Sequence, residues 1–260
     1  MFNQIRQILR YRHAIRNIAV RDLKVRYSNS ALGIVWSFFN PLLMTLVYTI
    51  VFTFMLRDSG IPKYPVFILT GLLPWNFFNL ATLGAISVVT ANGHLIGRLY
   101  FPREILPIAV VMSNAVNFLI ALILLFVFIV IYQVPLTVNV LWLPLIVIVQ
   151  IILCLGIGLF LSAVHVFFRD TQQITEVLLL AWFFLTPILY SIERIRPVTR
   201  PFVLLLNPLA ALILSYREIL YAGAPPDLRV LATTAVEALL ALMVGFAVFR
   251  RLSHAFADEL

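Results

Sequence analysis

The chain has 260 residues, 62% of them hydrophobic and only 12% charged, with a mean hydropathy of +1.02 and a formal net charge of +8. Soluble domains carry about 25% charged residues, so this composition excludes an ordinary water-soluble enzyme and describes a polytopic membrane protein. The excess of Lys and Arg then serves orientation and contact with anionic headgroups, and nucleic acid is excluded as a partner because no basic face with interleaved aromatics lies outside the apolar runs.

Residues 4–26 wind into an amphipathic helix at about 100° per residue. Arg6, Arg10, His13, Asn17, Arg21 and Lys24 share one side. Ile5, Ile8, Leu9, Ile15, Ala19 and Leu23 share the other, interrupted by Arg12 and Arg16. That pattern fits a helix lying in the membrane interface. It is not the pattern of a signal peptide, whose basic start is short and followed by an apolar core. The first apolar run is Leu32 to Leu56, with Pro41 expected to kink or restart the helix. The second runs from Tyr64 to about Val89, its early part loosened by Gly71 and Pro74. Residues 91–103 form a mixed loop with room for a short amphipathic helix. The third run is Glu104 to Tyr132, the fourth Leu141 to Phe168 and the fifth about Thr171 to Tyr190. The third and fourth exceed the ~20 residues that cross ~30 Å of hydrocarbon, so they tilt or project.

Residues 191–228 differ in kind. Five prolines and seven charges surround two short apolar pieces, Phe202–Leu206 and Leu209–Leu214, split by Asn207-Pro208. Neither piece is long enough to span, so a re-entrant or interfacial hairpin is expected on the extracytoplasmic side. The last run is Val230 to Phe249, followed by Arg250-Arg251. The expected fold is therefore all-α: an N-terminal interface helix in 1–30, spans one to five within 32–190, the hairpin 191–228, a last span 230–249 and a tail 250–260. With six spans, both basic termini fall on one face, and basic residues place that face in the cytoplasm. A seventh crossing through 201–222 would put Arg250-Arg251 outside.

Few residues carry obvious chemistry. No glycine is followed by lysine, so no phosphate-binding loop for nucleotide exists on this chain. The single cysteine, Cys154, lies in an apolar run and reads as a small buried hydrophobe, with no Cys/His cluster to hold a metal. His165 and Asp170 match the His-x4-Asp of some acyltransferases, in which the Asp orients a His base. The plainer reading is that Arg169 and Asp170 finish a span at the headgroups. Glu176 and Glu237 are the candidate intramembrane charges, each near an expected span end, which argues against a proton-coupled carrier.

A set of ordered motifs resembles the transmembrane permease of ABC transporters that export polysaccharides, the family of O-antigen, capsule and teichoic-acid exporters. The resemblance is carried by Arg21-Asp22-Leu23, Arg26-Tyr27, Ser30, Leu32-Gly33, Trp36 and Pro41, then Gly71-Leu72-Leu73-Pro74-Trp75 and Phe77-Phe78. It continues in Asn92, Leu95-Ile96, Phe101-Pro102-Arg103-Glu104-Ile105-Leu106-Pro107, Phe168-Arg169-Asp170, Leu185-Thr186-Pro187-Ile188-Leu189-Tyr190, Asn207-Pro208 and Arg217. It departs at Ser28 and Asn29, where a further basic residue is common.

The resemblance implies a bacterial inner (plasma) membrane protein with six spans and both termini cytoplasmic. It implies a homodimer around a central pathway, with two copies of a separate ABC ATPase that hold ATP and Mg; no cofactor is expected on this chain. It makes 91–103 the coupling loop, with His94, Leu95, Ile96, Arg98, Leu99 and Phe101 at the ATPase. It suggests that the first and fifth spans line the pathway, offering Trp36, Phe38, Phe39, Tyr48, Phe52, Trp182, Phe183, Phe184 and Tyr190 to the apolar faces of sugars. Arg6, Arg10, Arg21, Lys24 and Arg26 would collect the lipid-pyrophosphate head of the substrate or, more generally, anionic lipid. A related permease for a drug or lipid, and a membrane-embedded acyltransferase, are the competing expectations.

Overall fold

A computed structural model describes residues 15–20, 36–51, 61–93 and 102–259. Among them every regular element is helical and none is a strand. Hydrocarbon offers no partner for a backbone N–H or C=O, so an apolar chain closes its hydrogen bonds within each helix. In chain order the helices are α1 (Trp36–Ile50), α2 (Tyr64–Ala91), α3 (Ile105–Ile131), α4 (Leu143–Phe167), α5 (Thr171–Leu185), α6 (Arg200–Leu206), α7 (Pro208–Leu220), α8 (Leu228–Ser253) and α9 (Phe256–Glu259). Residues 15–20 are also helical.

Four of the described helices, α2, α3, α4 with its leading turn from Val138, and α8, are long and apolar enough to cross a membrane. A fifth span results if α6 and α7 count as one. Those two are bent by 109° about Asn207, so they do not form one straight rod. The bend falls at the Asn-Pro dipeptide, where Pro208 takes the first position of α7 and its missing N–H costs no helical hydrogen bond. Asn207 Oδ1 then accepts from Ala210 N at 3.1 Å and caps α7.

Two expectations change. The helix of the fifth run ends at Leu185, not Tyr190, and its 15 residues reach only ~22 Å at 1.5 Å each. Pro187 is the reason: it holds Thr186 extended, at φ −94° and ψ 133°, and the chain leaves the helix there. At Pro41 no restart occurs, since α1 is continuous from 36 to 50.

α2 is the central post. Its most apolar stretch is 78% buried, against 22% in α8, and apolar residues all round it meet other helices. α4 and α8 touch backbone to backbone. A Cβ on Gly156 would overlap the main chain of Ala241 and Leu242, and one on Gly245 would overlap the Gly156 carbonyl. Small residues at such a crossing substitute close packing for the hydrophobic effect, which lipid does not supply.

The connections sort to two ends. One end gathers the turn 61–63, the link 132–142, the turn 186–190 and residues 221–227. Lys63 Nζ donates to the Gln133 carbonyl (2.7 Å), and the Tyr221 hydroxyl to the Pro62 carbonyl (2.5 Å). Thr137 and Asn139 both donate to the Gly223 carbonyl. At the other end Val89, Leu106, Val166 and Phe249 close around Phe256, with Ile18 packed against them. There Arg103 donates to the Ser253 carbonyl and lies over the Phe256 ring. The described start and finish of the chain therefore meet at one end.

Candidate functional site: an aromatic groove between three helices

A cavity of about 490 Å³ opens between α1, α2 and α5. Rings form much of its wall: Tyr48 from α1, Trp75 from α2, Phe183 and Phe184 from α5. They touch in sequence. Tyr48 stacks on Phe183 at 6.4 Å, Trp75 meets Phe183 edge-on at 5.4 Å, and Phe183 meets Phe184 edge-on at 5.3 Å. Such rings leave flat faces for apolar surfaces and no charge of their own.

The polar part of the wall is Asn76, Asn79 and Glu176. Asn76 and Asn79 are three residues apart and share a helical face with Leu72 and Leu83. Among the described residues neither amide makes a side-chain hydrogen bond within the chain. Both lie near the middle of the 28-residue α2, at the depth where an unpaired amide costs several kcal/mol against hydrocarbon. This face is therefore built to meet water, a polar ligand or another protein surface, not acyl chains. Glu176 lies in the second turn of α5 and accepts from Gln172 Nε2 at 3.1 Å.

Just beyond α5 a polar knot fixes the turn 186–190. Asn207 Nδ2 donates to Thr186 Oγ1 (3.0 Å), and Trp182 Nε1 donates to Asn207 Oδ1 (2.9 Å). The Tyr64 hydroxyl donates to the Leu189 carbonyl at 2.9 Å. Arg217 is buried on α7 and forks onto two carbonyls, Pro187 at 2.5 Å and Ile188 at 2.6 Å, with Tyr190 at 3.4 Å. Its guanidinium carbon lies 3.6 Å from the Phe67 ring centroid, and Gly71 leaves room for it. No carboxylate joins it among the described residues; carbonyl dipoles and a ring face hold the charge instead. The rings of α5 thus hang from a pinned turn. A second buried link ties three helices: Tyr216 donates to Gln150 Oε1 (2.8 Å), and Gln150 Nε2 to the Pro74 carbonyl (2.7 Å).

The residues expected to line a pathway divide. Tyr48, Phe183 and Phe184 come together in the groove. Trp182 turns away, edge-on to Phe78 at 5.4 Å and bonded to Asn207. Tyr190 lies in the turn, its hydroxyl donating to the Phe184 carbonyl at 3.3 Å. Phe39 is 42% exposed on α1. Trp36 and Phe38 fall on α1, but their side chains lie outside the described residues, as do Phe52, Arg6, Arg10, Arg21, Lys24 and Arg26. The coupling residues His94, Leu95, Ile96, Arg98, Leu99 and Phe101 also lie outside them.

Trp75, Asn76 and Asn79 were not expected in the site. The signal was available in two amides at i and i+3 in an uncharged, largely apolar span.

His165 is buried inside α4 and its Nδ1 has no hydrogen-bond partner, while Asp170 is exposed beyond the helix end. Asp170 therefore does not orient that imidazole. Glu237 lies nine residues after the start of α8, and its Oε2 has no hydrogen-bond partner among the described residues. Among the described residues no group of His, Cys, Asp and Glu could hold a metal.

A bundle of helices long and apolar enough to cross a membrane, with a ring-lined groove between three of them, is the architecture of a polytopic membrane protein. The profile of the ABC-2 type transporter family matches residues 13–221, and the chain belongs to that family of membrane proteins. It is similar to the O-antigen export system permease protein RfbA of Myxococcus xanthus, at 35% identity over 261 residues covering 100% of both chains. RfbA of Klebsiella pneumoniae is 33% identical over 94% of this chain and 93% of its own. The polysialic acid transport protein KpsM of Escherichia coli is 26% identical over 91% and 92%.

Proposed function

We propose that this chain is the permease subunit of an ATP-driven ABC transporter that exports a lipid-linked cell-surface polysaccharide of the O-antigen kind across the bacterial inner membrane. Full-length likeness to permeases bearing that name supports the reading. The observation that carries it is the groove, where four rings lie beside two amides that have no partner among the described residues. A polymer of sugars needs both. Its C–H faces stack on rings while its hydroxyls exchange water for amide partners.

Six spans follow if α1 and α5 cross with help from their flanking residues and the bent pair α6–α7 dips into the extracytoplasmic face. Residues 1–260 then act as one transmembrane unit, with 1–30 as an interface helix. Two copies facing each other through α1 and α5 enclose a continuous channel from two grooves. Both termini lie in the cytoplasm, toward which the N-terminal arginines and Arg98 pull. There the loop 91–103 docks on a separate ATPase, two copies per dimer, which hold the ATP and Mg. The basic face of Arg6, Arg10, Arg21, Lys24 and Arg26 gathers the lipid-pyrophosphate head.

Deleting the gene in its own host tests this. Surface polysaccharide is expected to vanish while lipid-linked polymer accumulates inside, and Phe183→Ala is expected to restore export about tenfold less well than wild type. Normal surface polysaccharide in the deletion strain would overturn the proposal.

A further inference from the structure

We infer that the groove between α1, α2 and α5 passes neutral or amino-bearing sugar chains and rejects polyanionic ones, with Glu176 as the specificity-determining residue. This rests on the proposed export of a polysaccharide and narrows its chemical class. Glu176 is the one ionisable carboxylate in the groove wall, and no lysine, arginine or histidine lines that wall among the described residues. Its carboxylate accepts from Gln172 Nε2 and from no other group among the described residues. The remaining polar groups, the amides of Asn76 and Asn79, are neutral and can serve any hydroxyl as donor or acceptor.

The physical consequence is an acidic side chain standing beside aromatic rings in the groove wall. A neutral sugar meets Glu176 as a hydrogen-bond acceptor, and an ammonium meets it as a partner. A polymer with one carboxylate per repeat meets like charge at every step, with no cation among the described residues of the groove wall to offset it. The lipid-pyrophosphate is anionic too, but it passes once per chain, so it does not impose this requirement on the repeats.

The test uses the full transporter, permease with its ATPase, in proteoliposomes. Two lipid-pyrophosphate glycans of equal length serve as substrates, one neutral and one with a carboxylate in each repeat. The readout is the ratio of their transport rates. Wild type is expected to favour the neutral chain about tenfold. Glu176→Gln should bring that ratio down roughly fivefold, and Glu176→Lys should lower it further. Gln172→Ala should leave the ratio within about twofold of wild type, because the charge remains. Equal transport of the two glycans by wild type, or a ratio that neither Glu176 variant changes, would overturn the selectivity while leaving export intact. If neither glycan moves in wild type, the export reading itself fails and the selectivity fails with it.

Discussion

Arg217 offers the most informative single substitution. Its guanidinium forks onto the carbonyls of Pro187 and Ile188 at 2.5 and 2.6 Å and covers the Phe67 ring. Arg217→Met keeps most of the volume and removes both donors. Two buried carbonyls left without partners cost about 1–3 kcal/mol each. Loss of the cation–ring contact adds about 2 kcal/mol when desolvated. Against this, the variant no longer buries a charge, which returns several kcal/mol. The net expectation is a loss of about 3 kcal/mol, or a melting point in detergent lower by roughly 6–12 °C. Arg217→Lys should not rescue it, because an ammonium carries the same burial cost without the planar fork. Export should fall with stability, since Phe183 and Phe184 lie on the last turn before the pinned segment. A Met variant melting within about 2 °C of wild type and exporting normally would show that the fork holds nothing of consequence.

Three further outcomes are expected. Gly245→Ala should destabilise by about 1–3 kcal/mol in thermal unfolding despite alanine's better helix propensity, because its methyl would overlap the Gly156 carbonyl; an equal or higher melting point would contradict the backbone contact. Asn207→Ala removes bonds to Trp182, Thr186 and the Ala210 amide at once, so roughly 2–3 kcal/mol should be lost and the indole fluorescence of Trp182 should shift; unchanged emission would count against the knot. Charge reversal at Arg98 should uncouple ATP hydrolysis from export while the permease still folds and inserts; full export would remove the docking role proposed for 91–103.

Much of the skeleton could be read in advance. The runs beginning at Tyr64, Glu104, Leu141 and Val230 became α2, α3, α4 and α8 with ends shifted by a few residues. The helical stretch 200–220 broke at Asn207-Pro208, as expected, with Pro208 at the first position of the new helix and Asn207 capping it. The site was harder. Tyr48, Phe183 and Phe184 were among the expected aromatics, but so was Trp182, which faces Phe78 and Asn207. Neighbours on a helix point about 100° apart, so adjacent rings such as Trp182 and Phe183 cannot all serve one channel. The face that does serve it depends on where α2 lies.

Composition places this chain in a membrane, and apolar runs of about 20 residues or more make its spans helices, because hydrocarbon accepts no unpaired peptide group and a barrel strand needs only about ten residues. Proline, asparagine and charge positions then mark most of the helix ends. What hydropathy does not carry is which side of each helix faces which neighbour. In α2 nearly every side is apolar and nearly every side is buried, so no periodicity distinguishes core from groove. The approach of Gly156 to Gly245, the reach of Arg217 to the turn after α5, and the meeting of Asn76 and Asn79 with Tyr48 and Phe183 arise from packing between segments far apart in the chain. Those contacts make the groove, and through it the chemistry that a sugar polymer would meet.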